Sequence, residues 1–263
     1  MPGSLPEFMT LNDFSIFQSD VRRKNRFFWT QETKDFLAAV ASTMDSRVHQ
    51  LDAGCVFFRA QIGYGERRIA TNELDEFVMT AEPFAESRMS PCSDRANEGR
   101  ANVKGIPIFY AALDEITAIS EVRPLVSELV TVAEFETTRE LRLVDCSQNF
   151  QGENYKFHQF MSHGRKKTAP DQVTLERMAW HEIDEAFSQP FSRNDDLAEY
   201  IPTQILSDLF RQQKMDGLGF KSSLRTGGHN IAIFDIGATR MVSSEVVRVS
   251  EIDLKIQVGP FYF

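Results

Sequence analysis

The chain has 263 residues, 42% of them hydrophobic and 25% charged, and a formal net charge of -9 at pH 7. That length buries a core large enough for one domain, with or without an extension, and no apolar run reaches the roughly 18 residues that span a bilayer. The acid excess argues against broad contact with nucleic acid or an anionic membrane, yet a phosphate-bearing small molecule stays open, because well-placed arginines hold a pyrophosphate through paired, partly desolvated contacts.

Residues 1–8 (Met1-Pro2-Gly3-Ser4-Leu5-Pro6-Glu7-Phe8) read as a cloning scar, with Met9 the expected native start, and are set aside from the fold. From Asn12 to Leu51 the pattern is mostly helical: Phe36, Val40, Met44 and Val48 recur at i+4 spacing, a stripe suited to core packing or, alternatively, to a partner surface. Cys55–Ala60 is short, apolar and β-forming, so a buried strand is expected. The polar stretch from Gly63 to Arg100, interrupted by Pro83 and Pro91, is expected to mix loop with a short helix. Ile106–Ala111 reads as a second strand. Asp114 offers an N-cap for a helix that runs to about Val122 and is stopped by Pro124. Leu129–Phe135 and Leu141–Val144 are further strands, and residues 147–170 are polar and turn-rich, a disordered segment or a lid. Helices are expected over Val173–Phe187 and Thr203–Gln213, and short strands over Gly217–Phe220, Ile231–Phe234, Val246–Val249 and Ile256–Phe261. The sum is an α+β or mixed α/β chain.

Cys55, Cys92 and Cys146 are odd in number and unrelated in spacing, which suggests reduced thiols in a cytoplasmic protein. The five histidines show no HExxH-like spacing, so no catalytic metal is expected. No GxGxxG opens a helix after a strand, which excludes a Rossmann dehydrogenase.

Four segments carry candidate chemistry. Arg59 follows Val56, Phe57 and Phe58 in an apolar strand, where a guanidinium is costly unless paired or bound to an anion; strand alternation could equally turn it to water. Gly99-Arg100-Ala101-Asn102-Val103-Lys104-Gly105 could bring backbone N–H groups and a cation to an anion, or be an ordinary turn. Tyr110 fits either a core aromatic or a platform for a flat heterocycle. Glu121 sits near a helix C-terminus, against the dipole, either solvated, paired with Arg123 or held for chemistry. Asp216-Gly217-Leu218-Gly219-Phe220-Lys221-Ser222-Ser223 is a turn into a strand with hydroxyls emerging after it.

Taken in order, these segments resemble the RES-domain family, named for an Arg, a Glu and a Ser, whose characterised members are NAD⁺-degrading or ADP-ribosylating toxins. Phe58-Arg59-Ala60 is similar to the family's first strand motif, and Gly99–Gly105 with Ile106-Pro107 and Tyr110-Ala111-Ala112 to its glycine-arginine-asparagine loop and tyrosine strand. Thr117–Val122 is similar to the glutamate helix, and Asp216–Ser222 with Gly228-His229-Asn230 and Phe234 to the closing serine segment. Ala101 stands where an aromatic residue is common and Lys104 where a proline is usual.

The resemblance implies an α+β, ADP-ribosyltransferase-like core of two small sheets forming an NAD cleft, with surrounding helices. It divides the chain into a helical N-terminal extension over residues 9–53 and a catalytic domain over 54–263, its core at 54–236. Arg59, Glu121 and Ser222 would be catalytic, with Arg100, Asn102, Tyr110 and Ser223 binding substrate. NAD⁺ would be the substrate, with no cofactor or metal. Cleaving its nicotinamide–ribose bond builds positive charge on the ribose, as in glycoside hydrolysis, which Glu121 would stabilise while arginines clamp phosphate or ribose oxygens. Ser222 would orient Glu121 or the nicotinamide amide, since no His/Asp pair is recognisable to activate it. Water, phosphate or a protein side chain as acceptor would make the chain a glycohydrolase, a phosphorylase or a mono-ADP-ribosyltransferase; a non-catalytic NAD or nucleotide sensor is the alternative. The resemblance also implies an antitoxin protein as partner; self-association is left open.

Overall fold

The computed structural model describes residues 6–70, 77–92, 96–147, 170–189 and 197–253. The expected strand Ile256–Phe261 and all but the ends of the expected 147–170 lid segment lie outside the described residues.

Helices α1 (Asp13–Arg23) and α2 (Gln31–Thr43) form within the stretch expected to be mostly helical, α2 on the apolar stripe itself. Phe17 stacks on Phe36 with ring centroids 4.7 Å apart, and Phe8 packs at 5.9 Å from Phe36. Phe8 is thus buried in the core, although it falls within the segment read as a cloning scar. The periodicity overreaches at its end: a 3₁₀ turn over Met44–Arg47 leads into strand β1 (Val48–Leu51). Val48 and Leu51 continue a helical stripe in sequence, but their antiparallel pairing with Val144 and Leu141 overrides it. The stretch expected as a helical extension therefore ends inside the main sheet.

Strand β2 (Val56–Ile62) is followed by a two-stranded ribbon, β3 (Gly65–Ala70) with β4 (Phe77–Glu82), and a one-turn helix α3 (Glu86–Met89). The ribbon replaces loop expected from sequence: β3 carries Glu66, Arg67 and Arg68 in succession and does not read as a strand, whereas β4 is a short apolar run. Next come β5 (Phe109–Ala112), α4 (Glu115–Glu121), β6 (Leu129–Thr137) and β7 (Leu141–Asp145). Helices α5 (Gln172–Ser188) and α6 (Ile201–Gln212) precede β8 (Gly217–Lys221), β9 (His229–Ile233) and β10 (Thr239–Arg248). The class is α+β, as expected.

The sheets differ from the expected pair of small ones. Eight strands join in the order β1-β7-β8-β9-β5-β2-β6-β10, with β3-β4 separate. Yet the large sheet is pinched: β2 and β5 share the single register pair Phe58↔Ala112, whereas β2 and β6 pair from Val56↔Glu136 to Ile62↔Val130. A five-stranded and a three-stranded half meet at that pinch. Helices α1, α2, α5 and α6 pack over Val144, Leu218, Phe220 and Ala232 on one face of the larger half. The alternating residues Leu143, Ile231 and Ile233 build a second core on the other face with Phe57, Phe109 and Phe135.

Candidate functional site

The pinch orphans backbone groups, and Arg59 answers one of them. Its Nη1 donates to the Tyr110 carbonyl at 2.7 Å, where a paired β2 strand would have supplied an N–H. The guanidinium also lies 5.5 Å from the Phe109 ring centroid. Its Nε is buried without a partner, and no carboxylate pairs with it among the described residues. Burial pushes the guanidinium below its ordinary value. Arg59 does not turn to bulk water as alternation alone allowed; it lines a cleft of about 650 Å³, a volume ordinary for small-molecule sites.

Glu121 reaches the same cleft from the last turn of α4. The helix starts where Asp114 accepts from the Thr117 N–H at 3.0 Å. Arg225 pairs with Asp114, and its Nη1 lies 3.3 Å from Thr117 Oγ1, binding the helix start to the turn after β8. Gly228 lets that turn close: a Cβ there would come 2.5 Å from Thr117 Oγ1. At the other end, Ser222 Oγ donates to Glu121 Oε1 at 2.6 Å and Asn230 Nδ2 donates to the same oxygen at 2.7 Å. Ser222 Oγ in turn accepts from the Leu224 and Arg225 N–H groups, each at 3.2 Å. With both lone pairs taken, its one proton goes to Glu121. Ser222 and Ser223 are thereby distinguished: Ser222 is buried on Glu121, whereas Ser223 is exposed and lines the cleft.

The glycine-arginine-asparagine loop forms the facing rim. Gly99 N–H donates to Asn102 O at 2.9 Å, and Gln204 Nε2 donates to Gly99 O and Asn102 O, both at 3.0 Å. Tyr110 donates its hydroxyl to Asn102 Oδ1 at 2.8 Å and accepts from the Ala101 N–H at 2.9 Å. Burial pushes its phenol above the ordinary value. A Cβ on Gly99 would stand 2.8 Å from both the Tyr110 hydroxyl and Asn102 Oδ1, so glycine is required by packing. Tyr110 contributes to the cleft wall while its hydroxyl is spent on the loop. Asn102, expected to bind substrate, is buried in the loop, its amide donating to the Asn97 and Val103 carbonyls, and lies outside the cleft wall. Arg100 does line the cleft, donating to Ala186 O at 2.9 Å, with its guanidinium 5.1 Å from the Tyr200 ring centroid.

Arg59, Arg100, Tyr110, Glu121 and Ser223 therefore line one cleft, with Ser222 directly behind Glu121. The lining also contains Tyr200, which the sequence did not single out, Arg123, expected only as a pair for Glu121, and Asn230, expected only within the closing serine segment. Asn230 carried the one usable signal, an amide next to an otherwise apolar strand (Ile231, Ala232, Ile233). Among the described residues of the lining, three arginines stand against one glutamate, in a chain of net charge -9. Among the described residues no cluster of three His, Cys, Asp or Glu side chains could hold a metal, and no helix is long and apolar enough to cross a membrane.

Fold and site together define an α+β protein with an arginine-lined cleft and a hydrogen-bonded carboxylate at its pinched sheet. The family model described as RES domain matches residues 76–257, and the chain belongs to the RES domain family. The match takes in Arg100, Tyr110, Glu121 and Ser222; Arg59 precedes it. The M. tuberculosis MbcT–MbcA toxin–antitoxin complex contains a chain similar to this one at 12% identity and a TM-score of 0.41, covering 80% of this chain and 93% of that one. Comparison with curated proteins finds no match.

Proposed function

We propose that the protein is an NAD⁺-consuming enzyme that cleaves the nicotinamide–ribose N-glycosidic bond as a glycohydrolase or phosphorylase. One observation carries this reading. Glu121, with one oxygen fixed by two donors, shares a cleft with Arg59, a half-buried cation lacking a carboxylate partner among the described residues. A dinucleotide satisfies both. Its pyrophosphate supplies a counter-ion to Arg59, with Arg100 on the same cleft, and the ribose that becomes cationic as nicotinamide leaves is stabilised by a carboxylate. A prepositioned carboxylate of this kind lowers the barrier by about 3–4 kcal/mol. Tyr110 offers a ring face to a flat base, its hydroxyl already engaged.

Ser222 is a poor candidate for a covalent nucleophile, because its proton is committed to Glu121 and its lone pairs to two backbone N–H groups. The exposed Ser223 has no base assigned to it. The acceptor is then water or phosphate, or a protein side chain in a mono-ADP-ribosyltransferase. In its physiological form the reading makes the chain a toxin, held in check by a partner protein that covers the cleft.

The test is incubation of purified protein with NAD⁺, with and without inorganic phosphate, and identification of products by mass. Free nicotinamide with ADP-ribose identifies a glycohydrolase, and ADP-ribose 1″-phosphate a phosphorylase. Intact NAD⁺ that nonetheless raises the melting temperature would point instead to a non-catalytic sensor.

A further inference from the structure

We infer that Asn230 is a positioning residue, which with Ser222 forms a two-point grip by which the β8–β9 hairpin aims the Glu121 carboxylate. The inference deepens the proposed reaction and relies on it for its kinetic test. Both donors converge on Oε1, at 2.6 and 2.7 Å, and Oε2 has no protein partner among the described residues. They come from facing arms of one hairpin. Phe220 and Asn230 are register partners, as are Lys221 and His229, and the Ser222 N–H donates to Gly228 O at 2.9 Å. The grip is therefore as rigid as the hairpin, and both side chains are buried, where hydrogen bonds to an ion are strongest.

The identity of residue 230 follows from the same geometry. A carboxylate only accepts, so the atom facing Oε1 must be the amide nitrogen. Beside Ile231, Ala232 and Ile233, an amide costs free energy that valine would not, unless it is bonded. Glu121 supplies that bond. A carboxylate at the end of a helix receives no aid from its own helix, so its aim must come from elsewhere. Two donors on one oxygen fix the carboxylate plane and present the other oxygen to the cleft.

The experiment uses the full chain and follows NAD⁺ loss across pH. N230A is expected to lower kcat about ten- to hundredfold, the effect of one hydrogen bond to a charge, with KM within about threefold and the wild-type shape of the pH profile. N230D sets a second carboxyl against Oε1. The two then share a proton at low pH and repel once both ionise. N230D should therefore be active at acid pH and lose activity on an alkaline limb absent from wild type and N230A. Wild-type kcat and profile in both variants would overturn the inference. So would equal losses at every pH accompanied by a lowered melting temperature, which is what mere support of α4 predicts. If wild type leaves NAD⁺ intact, the reaction fails but the grip is still read by ¹⁵N-NMR. The Asn230 side-chain amide should shift in E121Q; an unmoved resonance rejects the grip.

Discussion

The two walls of the cleft treat charge in opposite ways. On the hairpin wall, Glu121 is supported by Ser222 and Asn230, Ser222 by two backbone N–H groups, and α4 by the Asp114–Arg225 pair. On the β2 wall, Arg59 has one carbonyl, a buried Nε without a partner and an aromatic ring. The first wall is complete before any ligand arrives. A carboxylate held this way needs no reorganisation when charge develops, which is where electrostatic catalysis gains most. The second is incomplete: Arg59 bears the desolvation cost without the Coulombic return, which an anionic ligand would supply.

The largest effect should come from breaking the complete wall. Glu121→Gln keeps the shape and removes the charge, and should lower NAD⁺ turnover about hundredfold or more while leaving the melting temperature near wild type. Near-normal turnover in E121Q would reject the assigned role. Arg59→Met should behave differently in kind. Removing a half-buried cation without a carboxylate partner lifts a desolvation cost but orphans the Tyr110 carbonyl, so the melting temperature of the free protein should stay within about 2 °C of wild type, while kcat/KM falls about tenfold to a hundredfold. Pyrophosphate should stabilise wild type against heat and leave R59M unmoved. A destabilised R59M that still responds to pyrophosphate would erase the contrast between the walls.

Ser222→Ala sharpens the comparison further. A positioning serine predicts a partial loss of about ten- to hundredfold, because Asn230 still holds Glu121. A nucleophilic serine predicts no multiple turnover at all. Double replacement of Ser222 and Asn230 should cost less than the product of the single losses if the two share one task.

How much of this was legible in sequence differs between the walls for a physical reason. The Asp114 cap, α4, α5 and α6 rest on local signals, the cap residue and a repeating apolar stripe, and they form where expected. Arg59 was legible as an expensive residue but not in its orientation, which depends on β2 and β5 parting after Phe58↔Ala112. Strand β1 was hidden because its apolar spacing also suits a helix, and only pairing with β7 decides. Asn102 misled because a polar side chain in a glycine-rich loop looks ligand-facing until packing turns it inward, onto Asn97, Val103 and Tyr110. Asn230 was legible as part of the closing segment but not as the partner of Glu121, which lies 109 residues earlier.

The smallest effects concern carboxylates outside the cleft, and they test whether hydrogen-bonded support, not burial, keeps a carboxylate useful. Glu182 on α5 lacks such support: its Oε2 is buried without a partner, and burial, with Asp13 nearby, pushes its pKa up to about 7. A raised folded value means stability is fully present below the unfolded value and lost as pH rises through 7. Glu182→Gln should therefore raise the melting temperature at pH 8 and change little at pH 5. Asp20 also has one buried oxygen, Oδ1, without a hydrogen-bond partner, but its other oxygen is supported. The residue is buried between α1 and α2, yet its Oδ2 accepts from the Thr33 and Thr30 hydroxyls at 2.8 and 2.9 Å, and the Thr33 bond in particular holds its carboxyl below the ordinary value. Lys24, exposed and 3.7 Å away, adds little. A depressed folded value contributes stability above the unfolded value, about 4, and loses it as pH falls through the folded one. Wild type should thus lose more melting temperature than D20N between about pH 5 and pH 3. Equal acid sensitivity in the two would mean that hydroxyl donors do not hold a buried carboxylate ionised in this fold, and the same doubt would then reach Ser222 and Glu121.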